Sequence, residues 1–310
     1  MYQNKPKTAT NKTEDIATPL VSIVTINFCN EKITMEMLAS ISKANYPALE
    51  VIVVDNGSLK DYTKDFEQVY PEVKVIVSEK NLGFAGANNL GIKEAKGDYV
   101  YLVNNDTEFT DRTILPLIEK LEKEKYIGAI SPKIQYFFQP DHIQYAGLTA
   151  INPFTGRNKM IGHREKDTGQ YDAFYETDFA HGAAMMIRKS VIDLVGPMQT
   201  DYFLYYEELD WCESIKKSGF KIYYDGSANI LHKESMSTGK NSPLKMYYQT
   251  RNRLWFMKRH YPKNDLFFKS FIFSFVIPKK LIELLVFGDW NLAKAFYKGV
   301  KDGLNPTITN

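Results

Sequence analysis

Four short apolar runs, rich in β-branched residues, recur with a helical segment between them: VSIVTIN (21–27), LEVIVVDNGS (49–58), VKVIVS (73–78) and DYVYLVNND (98–106). Branched side chains suit a pleated surface and crowd a helix, so each run reads as a strand. Between them, EKITMEMLASISKA places Ile33, Met37 and Ile41 at helical spacing, and NYP (45–47) ends that helix. Residues 60–70 read as a second helix, and NLGFAGANNLGIKEAKG (81–97) as a loop running into a helix of small residues. A helix at about 112–125 and a strand at IGAISPKI (127–134) continue the series. Such alternation predicts βαβ units and a mostly parallel central sheet flanked by helices, an α/β fold. Right-handed crossovers then align the carboxyl ends of the strands along one edge, where open α/β sheets bind ligands.

Three polar clusters fall on that edge: Thr25 with Asn27, Asp55-Asn56-Gly57-Ser58, and Asn104-Asn105-Asp106. One polar strand end is a turn; three converging on one edge mark a site. The first strand–helix turn, TINFCNE, carries no glycine, so the dinucleotide fingerprint is missing from its place. No G-x-x-x-x-G-K-S/T occurs either, which removes the P-loop. A formal charge of +2 gives no reason to expect a nucleic-acid partner. Cys29 and Cys212 form no CxxC pair, so zinc and a disulfide framework are not expected. Both read as buried, inert thiols in a reducing, cytoplasmic compartment.

Beyond residue 135 the alternation fades into β-ribbon and loop. DFAHGAAMMIRKSVIDLVGPM (178–198) reads as a loop, a short strand and a short helix stopped at Gly196-Pro197. In YYEELDWC (205–212), Glu207, Glu208 and Asp210 sit among Tyr205, Tyr206, Leu209 and Trp211. Carboxylates at a helix start complement its dipole. Apolar surroundings would also raise their pKa and suit one of them to general-base work. The helix ends at Gly219, a strand follows from about 221, and His232 comes after it. A lone histidine is usually structural; paired with Asp106 on a hard cation it becomes a ligand candidate.

VSIVTINFCNE, VDNGSLKD, NLGFAGANNLGIKEAKGDYVYLVNND, HGAAMMIRKS, YYEELDWCESIKKSGFKIYY and His232 occur in that order. Together they resemble family 2 glycosyltransferases of GT-A fold, in particular the bacterial rhamnosyltransferase-like branch, over roughly residues 20–260. The resemblance implies a Rossmann-like nucleotide-binding half and an acceptor half. It implies that Thr25, Asn27, Asp55 and Asn56 line a nucleotide pocket, with Asp55 facing the base. Asn81, Gly83, Phe84, Asn88 and Asn89 would shape the floor under ribose and diphosphate, and Asn104 and Asn105 would flank the donor. Asp106 and His232 would hold Mg2+ or Mn2+, and His181-Gly182 would face donor and acceptor. Glu208 would be the general base, with Asp210 its rival and Glu207 orienting the acceptor or the helix start. Two positions depart from the family pattern: Asn104 replaces the first carboxylate of the metal motif, and Glu replaces Asp at the base position. The implied activity is inverting, metal-dependent transfer from a nucleoside-diphosphate sugar, TDP-rhamnose or a UDP-hexose, to a cell-surface or lipid-linked glycan. A non-catalytic nucleotide- or glycan-binding module with a degraded metal site is the alternative. A sugar-nucleotide pyrophosphorylase is disfavoured because TINFCNE offers no glycine-rich basic loop.

Residues 1–19 lack an apolar core and read as a flexible lead-in without a secretory signal. The transferase domain is expected over 20–240 and a helical region over 241–310. LKMYYQTRNRLWFMKRH (244–260) reads as an aromatic, basic helix whose Arg251 and Arg253 either reach a phosphate or pack on the surface. The run 265–290 is apolar, but Lys269 and Pro278-Lys279-Lys280 break it too early for a membrane span. It suits an interfacial helix pair on the inner leaflet, or packing on the catalytic domain or a second subunit.

Overall fold

The computed structural model describes residues 18–234, 242–286 and 289–305. Most of the expected lead-in therefore lies outside the described residues. The chain begins with β1 (Val21–Asn27), α1 (Glu31–Ser40), β2 (Leu49–Asn56), α2 (Thr63–Val69), β3 (Lys74–Ser78), α3 (Gly83–Glu94) and β4 (Tyr99–Val103). Next come β5 (Thr107–Phe109), α4 (Leu115–Lys123), β6 (Ile127–Tyr136), β7 (Gln139–Tyr145), β8 (Phe174–Thr177) and β9 (Ala184–Arg188). The remainder is α5 (Lys189–Val195), α6 (Glu207–Lys217), β10 (Lys221–His232), α7 (Pro243–His260), α8 (Asp265–Phe271), α9 (Ile277–Val286) and α10 (Trp290–Leu304). A π-helical stretch, Ile272–Val276, joins α8 to α9.

The strands form one sheet in the order β3-β2-β1-β4-β9-β6-β10-β5, with β7 added on β6 and β8 on β10. The expected parallel order holds for β3-β2-β1-β4. Beyond β4 the sheet is mixed. β9 runs antiparallel between β4 and β6, while β6 and β10 are parallel to each other. The difference has a local cause: β6 turns straight back into β7, and β9 follows a long excursion of loop and ribbon, so no crossover helix imposes a parallel return.

Strand alternation assigns each side chain to a face. On β1 and β2, Val21, Ile23, Val51 and Val53 pack in the core under α1 and α4 with Met37, Leu38, Leu117 and Leu121. Val24, Ile52 and Val54 pack on the other face with α3, α6 and the C-terminal helices. Leu254, Trp255, Phe256 and Met257 of α7, with Phe268 and Ile272, belong to that second core. Each large apolar side chain buried there stabilises the fold by roughly 2–3 kcal/mol before entropy is counted. The start of the helical region is thus packed on the sheet domain. Among the described residues no helix is long and apolar enough to cross a membrane. Gly219 follows α6 at φ +89°, the left-handed stop expected of it.

Candidate active site

Parity on β1 and β2 separates two groups of polar residues. Thr25, Asn27 and Asp55 share the α1 face, and Asn27 lies in register with Asp55. Asn27 accepts from Thr34 Oγ1 at 2.8 Å, and Thr34 in turn accepts from Asn105 Nδ2 at 2.9 Å. Asp55 Oδ1 accepts from Ser58 N at 3.1 Å. Thr25 Oγ1 and Asp55 Oδ2 are buried and, among the described residues, have no hydrogen-bond partner. A buried orphan oxygen is costly, so a pair of them at adjacent strand ends points to a ligand's donors.

Asn56 lies on the opposite face from Asp55. Its amide accepts from Leu82 N at 2.8 Å and donates to Asn81 Oδ1 and Gly83 O. It therefore shapes the loop that opens α3. Asn81 Oδ1 accepts from Gly83 N at 2.8 Å. Gly83 sits at φ +72°, and a Cβ there would lie 2.2 Å from Phe203 O, a position only glycine can occupy. Phe84 N donates to that same carbonyl at 2.7 Å. Asn88 bonds back to Phe84 O, and both ends of the Asn89 amide hold the backbone of Met198. Asn89 thus ties α3 to the segment after α5.

Asp106 and His232, 126 positions apart, are brought together by strand pairing. β5 runs antiparallel to β10 with His232 opposite Thr107, and Lys233 N donates to Asp106 O at 2.8 Å. His232 Nε2 then faces Asp106 Oδ1 at 3.0 Å, both side chains buried. Gln144 Oε1, 2.7 Å from His232 Nδ1, anchors the ring from behind and holds its Nε2 toward Asp106. Gln144 was not singled out in the sequence; a glutamine in a ribbon gives no signal of this role. Asn104 sits beside the pair, its backbone N bonded to Ala183 O.

One imidazole and one carboxylate with an anchoring amide behind the ring suit a divalent cation whose remaining ligands come from a bound diphosphate. No cluster of three or more His, Cys, Asp and Glu side chains exists among the described residues.

The His181-Gly182 turn joins this pair to the carboxylates. The His181 and His232 ring centroids are 6.4 Å apart. His181 Nδ1 accepts from Ala183 N at 3.1 Å, and burial, with His232 nearby, pushes its pKa down to about 3. It is a neutral ring with its proton on Nε2. A Cβ on Gly182 would lie 3.6 Å from Glu208 Cγ and 3.7 Å from the Phe84 ring. Glu208, Phe84 and the His181 turn therefore share one wall.

The three carboxylates of α6 differ in environment. Asp210 is buried against Tyr202 Oη (3.1 Å), His260 Nε2 (2.5 Å) and Arg259 Nε (3.2 Å). It ties α6 to α7. Glu207 is buried, and its Oε2 has no partner among the described residues. Burial and the neighbouring Glu208 charge push its pKa well up. Glu208 is only partly buried, and burial raises its pKa as well. Of the three, it alone is placed against the His181-Gly182 wall.

The backbone before α6 is strained. Phe203, Tyr205 and Tyr206 all have φ between 65° and 80°. Each such residue costs on the order of 1–3 kcal/mol and persists only where its surroundings impose it. Asn252 of α7, fully buried, imposes it: its Nδ2 faces the carbonyls of Tyr202, Leu204 and Tyr205 at 3.0, 2.8 and 2.7 Å. Arg251 Nη2 donates to Asp201 O and Tyr202 O, so this arginine packs rather than reaching for a phosphate. One sequence expectation fails at the rim: Cys29, on the turn between β1 and α1, is exposed; Cys212 is buried.

The family model for glycosyl transferase family 2 matches residues 22–196, more than half of the chain. The chain belongs to that family. Glu208 and His232 lie beyond the matched segment. An N-acetylglucosaminyl-diphospho-decaprenol L-rhamnosyltransferase from Mycobacterium tuberculosis is 26% identical over 72% of this chain and 79% of its own. A dTDP-rhamnosyl transferase, RfbF, from Shigella flexneri is 24% identical over 73% of this chain and 76% of its own. The chain spans only 28% of another relative, the uncharacterised y4gI of Sinorhizobium fredii. A mannosyltransferase of Pyrobaculum calidifontis, solved with GDP-Man and Mn2+, covers 94% of this chain and 89% of its own with a TM-score of 0.57 at 12% identity. That likeness concerns the fold, which is GT-A. The family 2 chain is thus rhamnosyltransferase-like in sequence.

Proposed function

We propose that this family 2 chain transfers a sugar, with inversion, from a nucleoside-diphosphate sugar to a hydroxyl of a lipid-linked or cell-surface glycan. The supporting observation is one run of contacts: Asp106 against His232, His232 near His181, and the His181-Gly182 turn against Glu208. Diphosphate-side ligands and a poised carboxylate thus border the same space. The relatives' names make dTDP-rhamnose the first donor to assay, with UDP-hexoses next.

In this reading Asp55 and Thr25 take up donors of the nucleobase end, since Asp55 Oδ2 and Thr25 Oγ1 are buried without a partner among the described residues. Asp106 and His232 hold Mg2+ or Mn2+, which when bound neutralises the departing diphosphate. The neutral His181 offers its Nε2 proton to an oxygen of donor or acceptor. Glu208 takes the proton from the attacking hydroxyl; its raised pKa makes it a better acceptor than an exposed glutamate, and inversion requires no covalent intermediate. Residues 20–240 form the transferase unit, and the helices after them contact acceptor or membrane surface.

Thermal melting with UDP, TDP, GDP and CMP, each with Mn2+ or EDTA, tests the donor site. A ligand that binds only the folded state raises the melting temperature by mass action. Metal-dependent stabilisation by one nucleotide is expected; none by any of them would defeat the reading.

A further inference from the structure

His232 has two neighbours on the sheet: Thr107 of β5 on one side and Tyr136, the last residue of β6, on the other. Phe137 N donates to His232 O at 3.0 Å, so the β6–β7 hairpin is fastened to that histidine directly. A second link runs through Gln144 of β7. Its side chain holds the His232 ring, and its backbone carbonyl lies 3.2 Å from His163 Nδ1. His163 Nδ1 is also 3.3 Å from Tyr136 Oη, and the two ring centroids are 6.2 Å apart.

These contacts gather a rim of rings at the edge of the site. Phe137 and Phe138 meet edge to face at 5.1 Å, yet Phe138 is 71% exposed, and His163 is exposed too. Tyr136 and Phe137 are half-buried. Turns favour small polar residues, so the hairpin itself does not call for two phenylalanines at its tip. Open aromatic faces beside polar groups match a ligand with an apolar face and a hydrogen-bonding edge. A pyranose has that shape, with C–H bonds across one face and hydroxyls around the ring. The charges at the rim come in opposite signs. Lys233, 4.8 Å over the Phe137 ring, is engaged by Glu36, and Arg164 and Glu234 both flank the Tyr136 phenol. A neutral ligand suits that balance.

Strand order sets the rim apart from the nucleotide pocket. Asp55 is at the end of β2, and β1, β4 and β9 separate β2 from β6. At ~4.8 Å per strand, roughly 19 Å of sheet edge lies between Asp55 and Tyr136. Asp106, just after β4, and the His181-Gly182 turn, just before the antiparallel β9, fall between them. A donor laid from Asp55 to the Asp106–His232 pair therefore points its sugar end toward the hairpin.

We propose that the aromatic rim of the β6–β7 hairpin holds a neutral pyranose of the acceptor glycan, with Tyr136 and Phe138 against its C–H face and His163 at its hydroxyls. The proposal rests on the transferase reading and adds where the acceptor is held.

Saturation-transfer NMR of the full chain with the methyl pyranosides of glucose, galactose, rhamnose and N-acetylglucosamine tests it, each with and without UDP or TDP and Mg2+. At least one pyranoside should bind and remain bound when nucleotide and Mg2+ are added. Phe138→Ser and His163→Ala, altered at exposed side chains, should each weaken it by roughly fivefold, the scale of one ring contact. Both variants should keep the native rise in melting temperature with nucleotide and Mg2+. Binding of none of the four, or equal affinity in the native chain and both variants, would overturn the proposal. So would loss of the nucleotide-dependent rise in either variant, which would put the rim in the donor site. Displacement of the pyranoside by UDP-glucose but not by UDP would also overturn it, in favour of the transferred sugar resting there. Absence of any nucleotide-dependent rise in the native chain indicts the transferase reading, while the pyranoside arm still decides this one.

Discussion

Asn252 of α7 donates its amide to the carbonyl of Tyr205, 2.7 Å away and three residues before Glu208. α7 thereby fixes a left-handed turn that the local sequence disfavours. Asn252→Ala should lower stability by about 2 kcal/mol, the cost of leaving buried carbonyls unpaired. It should reduce kcat more than donor affinity, because the turn aims Glu208. Asn252→Asp should be worse, since a carboxylate only accepts and would face three carbonyl oxygens. Denaturant unfolding and kcat measured side by side check both variants.

Glu207 gives a pH signature. Burial raises its folded pKa above the unfolded value. The stability tied to its protonated form is fully present below the unfolded pKa, and is lost as pH rises through the folded pKa. Glu207→Gln should therefore melt higher than the native chain at pH 8, by about 2 °C per kcal/mol recovered, with the gap closing toward about pH 4. Melting across that range reads the effect, and an equal gap at both ends would contradict it.

Asp210 should behave as a structural acid. Asp210→Asn leaves His260 and Arg259 without their carboxylate and should cost about 3 kcal/mol. Turnover should fall far less than when Glu208 is changed. Unchanged stability with abolished turnover would return Asp210 to the role of base.

Gln144 anchors the ring of His232. Gln144→Leu should weaken Mn2+ affinity in the presence of nucleotide by about 10- to 100-fold, the usual effect of losing a ligand's hydrogen-bond partner. A Mn2+ titration at fixed nucleotide concentration measures it.

The first half of the fold was legible because its signals are local. Each of β1 to β4 carries its own branched apolar run, and each ends in polar residues that the βαβ rule puts on one edge. The mixed half was less legible. β5 is three residues, TEF, too short to show a period, yet its pairing with β10 is what brings His232 to Asp106. Face assignment separated Asn56 from Asp55, neighbours in sequence, because adjacent strand residues point oppositely. Asp210 could not be told from Glu208 without α7, which supplies His260 and Arg259 some fifty residues later. Asn252 gave no signal, since an asparagine in an aromatic, basic helix looks like any surface polar residue until the turn it holds is seen.

The most direct measurement is sugar transfer by Glu208→Gln, alongside its melting with nucleotide and Mn2+. The variant should keep metal-dependent stabilisation by the donor nucleotide and lose about 100- to 10,000-fold in turnover, the usual contribution of a general base. Native turnover in a variant that still binds the nucleotide would contradict the assignment of Glu208 as the base.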